Sequence, residues 1–417
     1  MIIANLFKNR STTLLVIMCL YVFFLPFRNN ISSVLGIILF LFFFIDKQVS
    51  VREKVEKILS NPIALLSIAL YLIHLIGLIY TSNFKYAGLD LEIKLPLLIL
   101  PLLIFSEKPL HNEQKQKIFK LFTIGNFAAI LWCLIAASIK YYQTKSITEF
   151  FYNEVSKFMH PSYFSMYLGF NVLILIQKLR EYLDSQEKNF KSIILLTIVS
   201  SLLLAFIVIL ASKAGILILS VILTILTIKD IFKRKYFLLC YFALMVVVGL
   251  IFILSNHNAT TTKRFKDAKN ELTATEIKRP DEKVGSSDTR IEVWKASGQL
   301  LKKNYIIGVG TGDVKDELQK QYKKNNFILG VSNNYNCHNQ FIQFFLILGI
   351  VGLIIFCALL LLTLKEGYNT KNIIMLQFLL LLILNMMLES MLESKAGVEF
   401  FAFFLPLLVQ SKLTHKN

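Results

Sequence analysis

The stretch FIQFFLILGIVGLIIFCALLLLT, residues 341–363, contains no charged side chain. A helix of about 20 apolar residues is long enough to cross the hydrocarbon core of a bilayer. Similar runs recur along the 417-residue chain, which is 55% hydrophobic and contains 35 Phe. Their apolar residues are continuous rather than alternating, which predicts α-helices and excludes the strands of a membrane barrel. The expected fold is an all-α polytopic membrane protein.

A sliding hydropathy window predicts about twelve transmembrane helices. They lie near residues 11–27, 31–45, 61–80, 92–105, 118–138, 162–177, 192–210, 214–228, 236–254, 341–363, 372–388 and 397–410. The chain is therefore divided into residues 1–254 with helices 1 to 9, a large loop at 255–340, and residues 341–417 with helices 10 to 12. We interpret the first apolar run as a retained helix, because no small-residue cleavage site follows it.

Basic residues are concentrated in alternate short connections, DKQVSVREKVEK, QKLREYLDSQEKNFK and KDIFKRK. Because Lys and Arg favour cytoplasmic loops, both termini are predicted to be cytoplasmic and the 255–340 loop to lie on the outer face. The net charge of +18 then reflects topology and contact with anionic membrane lipids, and we expect no nucleic-acid partner. Five scattered cysteines predict neither disulfides nor a metal site.

The 255–340 loop is the long connection of the chain, and long loops usually carry function. In SSDTRIEVWKASGQLLKK, Ser287 and Asp288 are candidate N-caps of a short membrane-surface helix. Its apolar face is expected to contain Ile291, Trp294 and Leu301. A second amphipathic helix is predicted in GVGTGDVKDELQKQYKK, with its apolar face at Val314, Leu318 and Tyr322.

Gly308, Gly310 and Gly312 precede this second helix. Two interpretations are open: their backbone N–H groups bind an anion, or the glycines only permit a tight turn.

Three cations are candidate ligands of a phosphate group. Arg290 falls in the first turn of the predicted surface helix, and Arg264 follows the ninth span. For both, the alternative is a solvated or membrane-anchoring arginine. Lys213 lies between two strongly apolar runs in ILASKAGILIL, so its ammonium must reach the interface or meet a buried anion. A functional role is favoured for Lys213.

Two histidines lie at outer rims of predicted spans. His338, in NYNCHNQFIQ, is suited to accept a proton from a sugar hydroxyl. The equal alternative is an interfacial histidine hydrogen-bonded to Asn336 or Asn339. His160, in MHPSYFSMYL, is either an acceptor-site residue or, as we prefer, the start of a helix at a His-Pro turn.

Three motifs follow one another in an order that resembles the O-antigen ligase and polymerase superfamily of bacterial envelopes. They are Arg290 in SSDTRIEVW, the GVGTG turn, and CHNQF before a span that contains LGIVGL. The resemblance runs from the HPSYF segment to the tenth span. It implies a GT-C-like glycosyltransferase of the inner membrane, with a periplasmic active site in the large loop. The implied donor is an undecaprenyl pyrophosphate-linked glycan, and the implied acceptor is lipid A-core.

The resemblance also implies residue roles. His338 corresponds to the histidine that acts as base or orients the acceptor, and Arg290 to the loop arginine that holds the pyrophosphate. Lys213 stands where the family usually has an arginine, so the charge is kept but the bidentate fork is lost. Lys213 and Arg264 complete the expected pyrophosphate site, and the mechanism is expected to be inverting, without metal or other cofactor.

Other functions remain open. A polysaccharide polymerase for O-antigen or capsule, or a protein O-oligosaccharyltransferase, uses the same donor. A flippase or transporter is the alternative without chemistry. Asp90 and Glu92 in GLDLEIKLP resemble metal-binding carboxylates of other membrane glycosyltransferases, but we favour their pairing with Lys94 or the basic residues.

Overall fold

The computed structural model describes residues 10–27, 30–44, 49–185, 189–232 and 286–410. Seventeen α-helices and no strand occur in these ranges, which confirms the all-α prediction for this part of the chain. The helices are α1 Arg10–Phe24, α2 Asn30–Phe44, α3 Val51–Leu59, α4 Pro62–Ile76, α5 Phe84–Lys94, α6 Pro96–Ser106, α7 Asn112–Thr144, α8 Tyr152–Val155, α9 Pro161–Asp184, α10 Phe190–Ile209, α11 Lys213–Phe232, α12 Ser286–Leu301, α13 Val314–Lys324, α14 Ile328–Asn333, α15 Gln340–Asn369, α16 Ile373–Leu388 and α17 Lys395–Val409.

Eleven of the twelve predicted spans coincide with helices, and the ninth, 236–254, lies outside the described residues. Four helical segments are long and apolar enough to cross a membrane: Pro62–Tyr80, Asn112–Thr144, Phe190–Ile209 and Gln340–Asn369. Shorter apolar helices, such as Arg10–Phe24 and Ile373–Leu388, accompany them. The chain is a membrane protein, while twelve crossings stay a prediction.

Polar caps set the ends of the long helices. Asn61 precedes Pro62, and its side chain accepts hydrogen bonds from the first free N–H groups of α4. Asn339 does the same at the start of α15, and Ser394 at the start of α17. Because these groups satisfy N–H donors that have no intrahelical partner, the apolar helices begin at defined residues.

An aromatic cluster forms the centre of the helix bundle. Phe122 of α7, Phe170 of α9, Phe378 of α16, and Phe400 and Phe404 of α17 are fully buried. The Phe170 and Phe378 ring centroids are 4.9 Å apart, and those of Phe122 and Phe404 are 5.0 Å apart. Helices in lipid associate by close packing rather than by exclusion of water, so these ring contacts fix the position of the C-terminal helices.

The described part of the large loop, residues 286–339, folds into the two predicted helices α12 and α13 and into the short helix α14. Only α14 was not predicted from the sequence. In α13, Val314, Leu318 and Tyr322 are buried as expected.

In α12 the predicted face is confirmed in part: Trp294 and Leu301 pack partly buried against the core, whereas Ile291 is half exposed. The fully buried apolar residues of this helix are Val293, Ala296 and Leu300. The helix packs on the protein by its buried side, and its position at the membrane surface stays a prediction. It also begins at Ser286, before the predicted caps Ser287 and Asp288.

Residues 305–312, here called the docked turn, lie against a break in α15. The break is at Gly349, whose φ of 64° and ψ of −161° are not helical. Three backbone hydrogen bonds join the two segments: Val309 N to Leu346 O at 2.8 Å, Gly310 N to Ile347 O at 3.1 Å, and Ile350 N to Tyr305 O at 2.9 Å. Backbone groups released by the break are therefore satisfied by the docked turn.

Gly349→Ala is expected to destabilise the protein strongly. A Cβ atom there would lie 2.1 Å from the Ile306 carbonyl oxygen, and the backbone conformation is one that only glycine adopts readily, which alone costs about 1–3 kcal/mol. The thermal unfolding temperature of purified protein in detergent measures the effect. Gly88→Ala is the matched control, because no atom lies within 4 Å of its Cβ position, and an unchanged Gly349→Ala protein would contradict the docking.

Candidate active site

The carboxylate of Glu389 joins two of the predicted site residues. Arg290 Nη2 donates to Glu389 Oε1 at 3.0 Å, and His338 Nδ1 lies 3.1 Å from Glu389 Oε2. The three side chains come from α12, the segment before α15, and the segment after α16. All are largely but not fully buried, with 24%, 24% and 16% of the Arg290, His338 and Glu389 side chains exposed. We call this arrangement the carboxylate link.

The backbone around His338 is held in an unusual conformation. The φ angle of His338 is 46°, in the left-handed region, and its N–H donates to Asn336 Oδ1 at 3.0 Å. Trp294 Nε1 donates to the Cys337 carbonyl at 2.9 Å and thereby ties this segment to α12. Burial raises the pKa of the Cys337 thiol to about 12, so that cysteine is an inert packing group. Left-handed backbone is uncommon at a non-glycine residue, and strained backbone of this kind clusters at functional sites.

Asn339 and Gln340 fasten the start of α15 to the segment after α16. The Asn339 N–H donates to Ser390 Oγ at 3.2 Å, and its Nδ2 donates to the Met387 carbonyl at 3.1 Å. Gln340 Oε1 accepts from the Leu392 N–H at 2.7 Å. The sequence allows Asn339 to be either an acceptor-site residue or a structural one. Asn339 serves as a cap and clamp in the structure, and a role in acceptor binding stays a prediction.

The charges around Glu389 keep it ionised. Burial raises the pKa of the Glu389 carboxyl, but the hydrogen bond to His338 and the charges of His338, Arg290 and His160 outweigh burial and hold the pKa below its ordinary value of 4.5. The carboxylate link therefore stabilises the folded protein above pH 4.5, the ordinary pKa of the carboxyl. This stabilisation is lost as the pH falls through the lowered pKa of Glu389. The ionised Glu389 carboxylate can only accept a hydrogen bond from Nδ1–H of His338, so in the tautomer that makes this bond Nε2 is the acceptor nitrogen of the ring.

His160 starts α9, as we preferred. It is the N-cap residue directly before Pro161, and its Nδ1 accepts from the Ser162 N–H at 3.3 Å. Its side chain is exposed, and in the protonated form of the ring, in which Nδ1 no longer accepts that bond, its charge contributes to the lowered pKa of Glu389. The histidine thus has a structural role and also belongs to the charged surroundings of the carboxylate link.

The other two predicted cations, Lys213 and Arg264, are not part of the carboxylate link as described. Lys213 is the first residue of α11, half buried, and follows Ser212, whose Oγ accepts from the Gly215 N–H at 3.2 Å. It heads an open groove of about 470 Å³ along α11, lined by Ile216, Leu217, Ser220, Val221, Thr224 and Ile225. Arg264 lies outside the described residues.

The glycine-rich turn does not offer an anion site. The Gly308 N–H donates to the Asn304 carbonyl, the Gly310 N–H to the Ile347 carbonyl, and the Gly312 N–H to Thr81 Oγ1. All three donors are therefore used within the protein. Gly308 and Gly310 have φ angles of 76° and 102°, so the tight-turn interpretation is the correct one.

A second charged group, the buried ion cluster, consists of Asp90, Lys94 and Glu393. Lys94 forms an ion pair with Asp90 one turn earlier in α5, and its Nζ lies 3.0 Å from Glu393 Oε1. Burial and the charge of Asp90 raise the pKa of Glu393, although Lys94 opposes them. Asp90 therefore pairs with Lys94, as favoured from the sequence. Glu92 is exposed while Asp90 is buried, so the two carboxylates do not converge on one metal position.

Glu389 and Glu393 were missed by the sequence reasoning. They occur in MLESMLES, residues 387–394, where a four-residue unit is repeated between two apolar helices. Two carboxylates in such a short connection at a membrane boundary are costly unless each has a partner. This cost could have indicated from the sequence that both carboxylates have buried partners. The partners themselves could not be identified, because Arg290 is about 100 residues from Glu389 and Lys94 about 300 residues from Glu393 along the chain.

Lys94→Met is expected to destabilise the protein. Removal of the ammonium leaves Asp90 and Glu393 buried without a counter-charge, which typically costs about 3–5 kcal/mol. Thermal unfolding in detergent measures the loss. Lys320→Met is the matched control because its ion pair with Glu317 is exposed, and such pairs contribute about 0–1 kcal/mol. Equal unfolding temperatures for the two variants would contradict this role of Lys94.

Comparison with known proteins agrees with the resemblance seen in the motifs. Residues 198–357 match the family model of O-antigen ligase. The matched region contains Lys213, Arg290 and His338 and ends before Glu389. No curated protein sequence matches the chain. The matched residues are similar to the O-antigen ligase family, and the match supports a membrane enzyme of the glycosyl-transferring ligase and polymerase type.

Proposed function

We propose that the protein transfers a glycan from undecaprenyl pyrophosphate to lipid A-core at the periplasmic face of the bacterial inner membrane. The observation that carries the proposal is the carboxylate link, in which Glu389 joins Arg290 and His338. It combines a positioned base with a cation at one edge of the helix bundle. A base and a cation are what a hydroxyl acceptor and a pyrophosphate donor require.

His338 has the role of general base. Its Nδ1–H donates to Glu389, so the lone pair of Nε2 accepts the proton of the acceptor hydroxyl. The hydroxyl oxygen then attacks the anomeric carbon from the face opposite the pyrophosphate. The bond from that carbon to the pyrophosphate oxygen breaks, and the electron pair leaves with the undecaprenyl pyrophosphate. The configuration at the anomeric carbon is inverted.

Arg290 has the role of pyrophosphate ligand. One of its nitrogens donates to Glu389, which fixes the orientation of the planar guanidinium. A guanidinium carries five N–H donors, so others remain for phosphate oxygens. Lys213 and Arg264 are proposed to add positive charge. Pyrophosphate is a good leaving group once it is neutralised, so these cations supply the stabilisation that a metal ion supplies in other transferases.

The proposed topology has both termini in the cytoplasm and residues 255–340 in the periplasm. It rests on the basic cytoplasmic connections and on the position of the carboxylate link next to the N-terminal end of α15. A donor carried on a lipid and an acceptor anchored in the outer leaflet of the inner membrane both present their polar groups at this level. Catalysis at the membrane rim suits both substrates.

Gene deletion in the host, followed by gel analysis of lipopolysaccharide and carrier-linked glycan, tests the function. We expect long polymer to accumulate on the carrier while lipid A-core stays bare. Complementation with His338→Ala should leave core bare as well, because loss of a general base lowers the turnover rate by about 10²–10⁴-fold. Arg290→Ala should fail in the same way.

Other outcomes of the same experiment contradict the ligase assignment. Core capped by a single repeat unit would indicate a polymerase. If the glycans on the undecaprenyl carrier and on lipid A-core are both unchanged, a protein O-oligosaccharyltransferase or a transporter is favoured. Full complementation by His338→Ala would contradict the role of His338 as general base, whatever the substrate.

Glu389→Gln is expected to lower kcat while leaving the KM for the acceptor unchanged. The amide keeps the size of the side chain but loses the charge that holds the His338 ring, and a charge-assisted hydrogen bond of about 1.5–3 kcal/mol corresponds to a loss of roughly tenfold to a hundredfold. Transfer rates in proteoliposomes measure it. Glu292→Gln is the matched control, because Glu292 lies on the same helix as Arg290 but pairs only with exposed Lys295 in the described contacts. Equal rates for both variants would contradict the role of Glu389.

A further inference from the structure

The short helix α3, Val51–Leu59, connects the apolar helices α2 and α4. Three of its apolar side chains, Val51, Val55 and Leu59, are 44%, 40% and 59% exposed. Residues spaced by four lie on one side of a helix, so these side chains form a single row, here called the exposed stripe. A row of exposed apolar side chains is unfavourable in water, and the surroundings of α3 indicate what covers it.

Two lysines fasten α3 to the ends of neighbouring helices. The Lys54 side chain is 1% exposed, and its Nζ donates to the Phe43 carbonyl in the last turn of α2 at 2.6 Å. Lys57 Nζ donates to the carbonyl of Ser106, the last residue of α6, at 3.3 Å. Carbonyls in the last turn of a helix have no intrahelical partner, so the two ammonium groups satisfy them. The helix α3 therefore lies across the ends of α2 and α6.

Other helices end at the same level. Arg10, the first residue of α1, donates to the Phe42 carbonyl at 2.9 Å and to the Glu107 carboxylate at 2.8 Å. Gln410, directly after α17, donates to the Glu107 carbonyl at 3.1 Å. Because α17 begins shortly after Glu389 and its 15 residues extend over about 22 Å, this layer of helix ends lies on the face of the bundle opposite the carboxylate link.

The charged side of α3 is separate from the exposed stripe. Successive residues of a helix are rotated by about 100°, so the stripe occupies an arc of about 80°. The buried Lys54 and Ile58 adjoin one edge of this arc, and the exposed Arg52 and Glu56 adjoin the other. One side of α3 is therefore on protein, the next is apolar and exposed, and the third is charged. Protein, hydrocarbon and water meet in this order at the rim of a membrane protein.

We propose that α3 lies in the interface of the leaflet opposite the carboxylate link and inserts the exposed stripe among the lipid acyl chains. In the topology proposed above this is the cytoplasmic leaflet. Both neighbouring helices also expose apolar side chains at their ends next to α3, namely Leu41 and Phe44 of α2 and Leu65 of α4. An amphipathic helix at such a boundary lies parallel to the membrane, with its apolar side buried about 5–10 Å below the headgroups.

The backbone of α3 is suited to this position because it is helical and capped at both ends. Ser50 Oγ accepts from the Glu53 N–H at 3.2 Å at the start of the helix. At the end, the Ser60 hydroxyl donates to the Lys57 carbonyl at 2.8 Å, and the Ser60 N–H donates to the Glu56 carbonyl at 3.0 Å. Side chains of the stripe thus reach the acyl chains, while the helix ends stay at the level of the headgroups, where water is present.

A fluorescent label on the stripe tests the proposal. Val55→Cys is labelled with the polarity-sensitive dye NBD and is reconstituted as full-length protein in vesicles of phosphatidylethanolamine and phosphatidylglycerol. Two labelled references are compared: Glu53→Cys on the charged side of α3, and Leu131→Cys on the exposed apolar surface of α7. The quenchers are lipids spin-labelled close to the headgroup or deep on the acyl chain, and iodide on both sides of the bilayer. All labelled proteins carry alanine in place of Cys19, Cys240 and Cys357.

The label at residue 55 is expected to be quenched by the shallow spin label at least half as strongly as the label at residue 131 is by the deep one. Iodide should quench it less than a third as strongly as the label at residue 53. Iodide quenching equal to that at residue 53 would place the stripe in water and overturn the proposal.

Two further results would also overturn the interfacial position of α3. Protection from all quenchers would mean that protein covers the stripe, and stronger quenching by the deep than by the shallow spin label would place it in the hydrocarbon core. Leu59→Cys repeats the measurement if Val55→Cys does not fold. The readout is independent of transferase activity, so it also holds if the proposed function fails.

Discussion

A charge buried in a low-dielectric interior must have a partner, and this requirement organises the connection between α16 and α17. Two carboxylates four residues apart, Glu389 and Glu393, each meet a cation from a distant part of the chain. Glu389 meets Arg290 of the large loop, and Glu393 meets Lys94 of the N-terminal half. Because neither carboxylate is tolerated unpaired, the short connection holds the loop, the N-terminal helices and the C-terminal helices in one arrangement.

The two charged groups differ in their accessibility, and this difference separates their roles. The buried ion cluster is closed, since the Lys94 side chain has no exposed surface. The carboxylate link is partly open, so His338 and Arg290 keep surface for a substrate. Gln340 and Asn339 bridge the two groups by hydrogen bonds to Leu392 and Ser390. A closed cluster next to an open one provides a rigid support for side chains that must remain accessible.

Much of the fold was predictable because apolar runs report directly on helices. Eleven predicted spans are helices, and the buried face of α13 was correctly assigned from Val314, Leu318 and Tyr322. The face of α12 was assigned correctly only in part, because Trp294 and Leu301 pack against the core but Ile291 is half exposed. Periodicity alone does not identify which of two overlapping apolar stripes is buried.

The candidate site was predictable only in part, for a related reason. His338 and Arg290 carry local signals, such as a histidine at the rim of a span. Glu389 is part of the site only through its contacts with His338 and Arg290, which are 51 and 99 positions away along the chain. A single sequence does not show such pairs. The break at Gly349 was equally invisible, because LGIVGL is a normal apolar helix by composition.

The break in α15 links the architecture of the membrane region to the site. An unbroken helix would satisfy its own backbone, and the docked turn would then have no polar groups to bond. With the break, the turn replaces the missing intrahelical bonds, and its Thr311 hydroxyl donates to the His74 carbonyl of α4. The loop that carries Arg290 is thereby fastened to α15 and α4 at one end of α12, while Glu389 fastens it at the other. Two anchors on opposite ends of one short helix leave its arginine little freedom to move, and a cation held in place in this way would need no reorganisation to stabilise the leaving group of the proposed reaction.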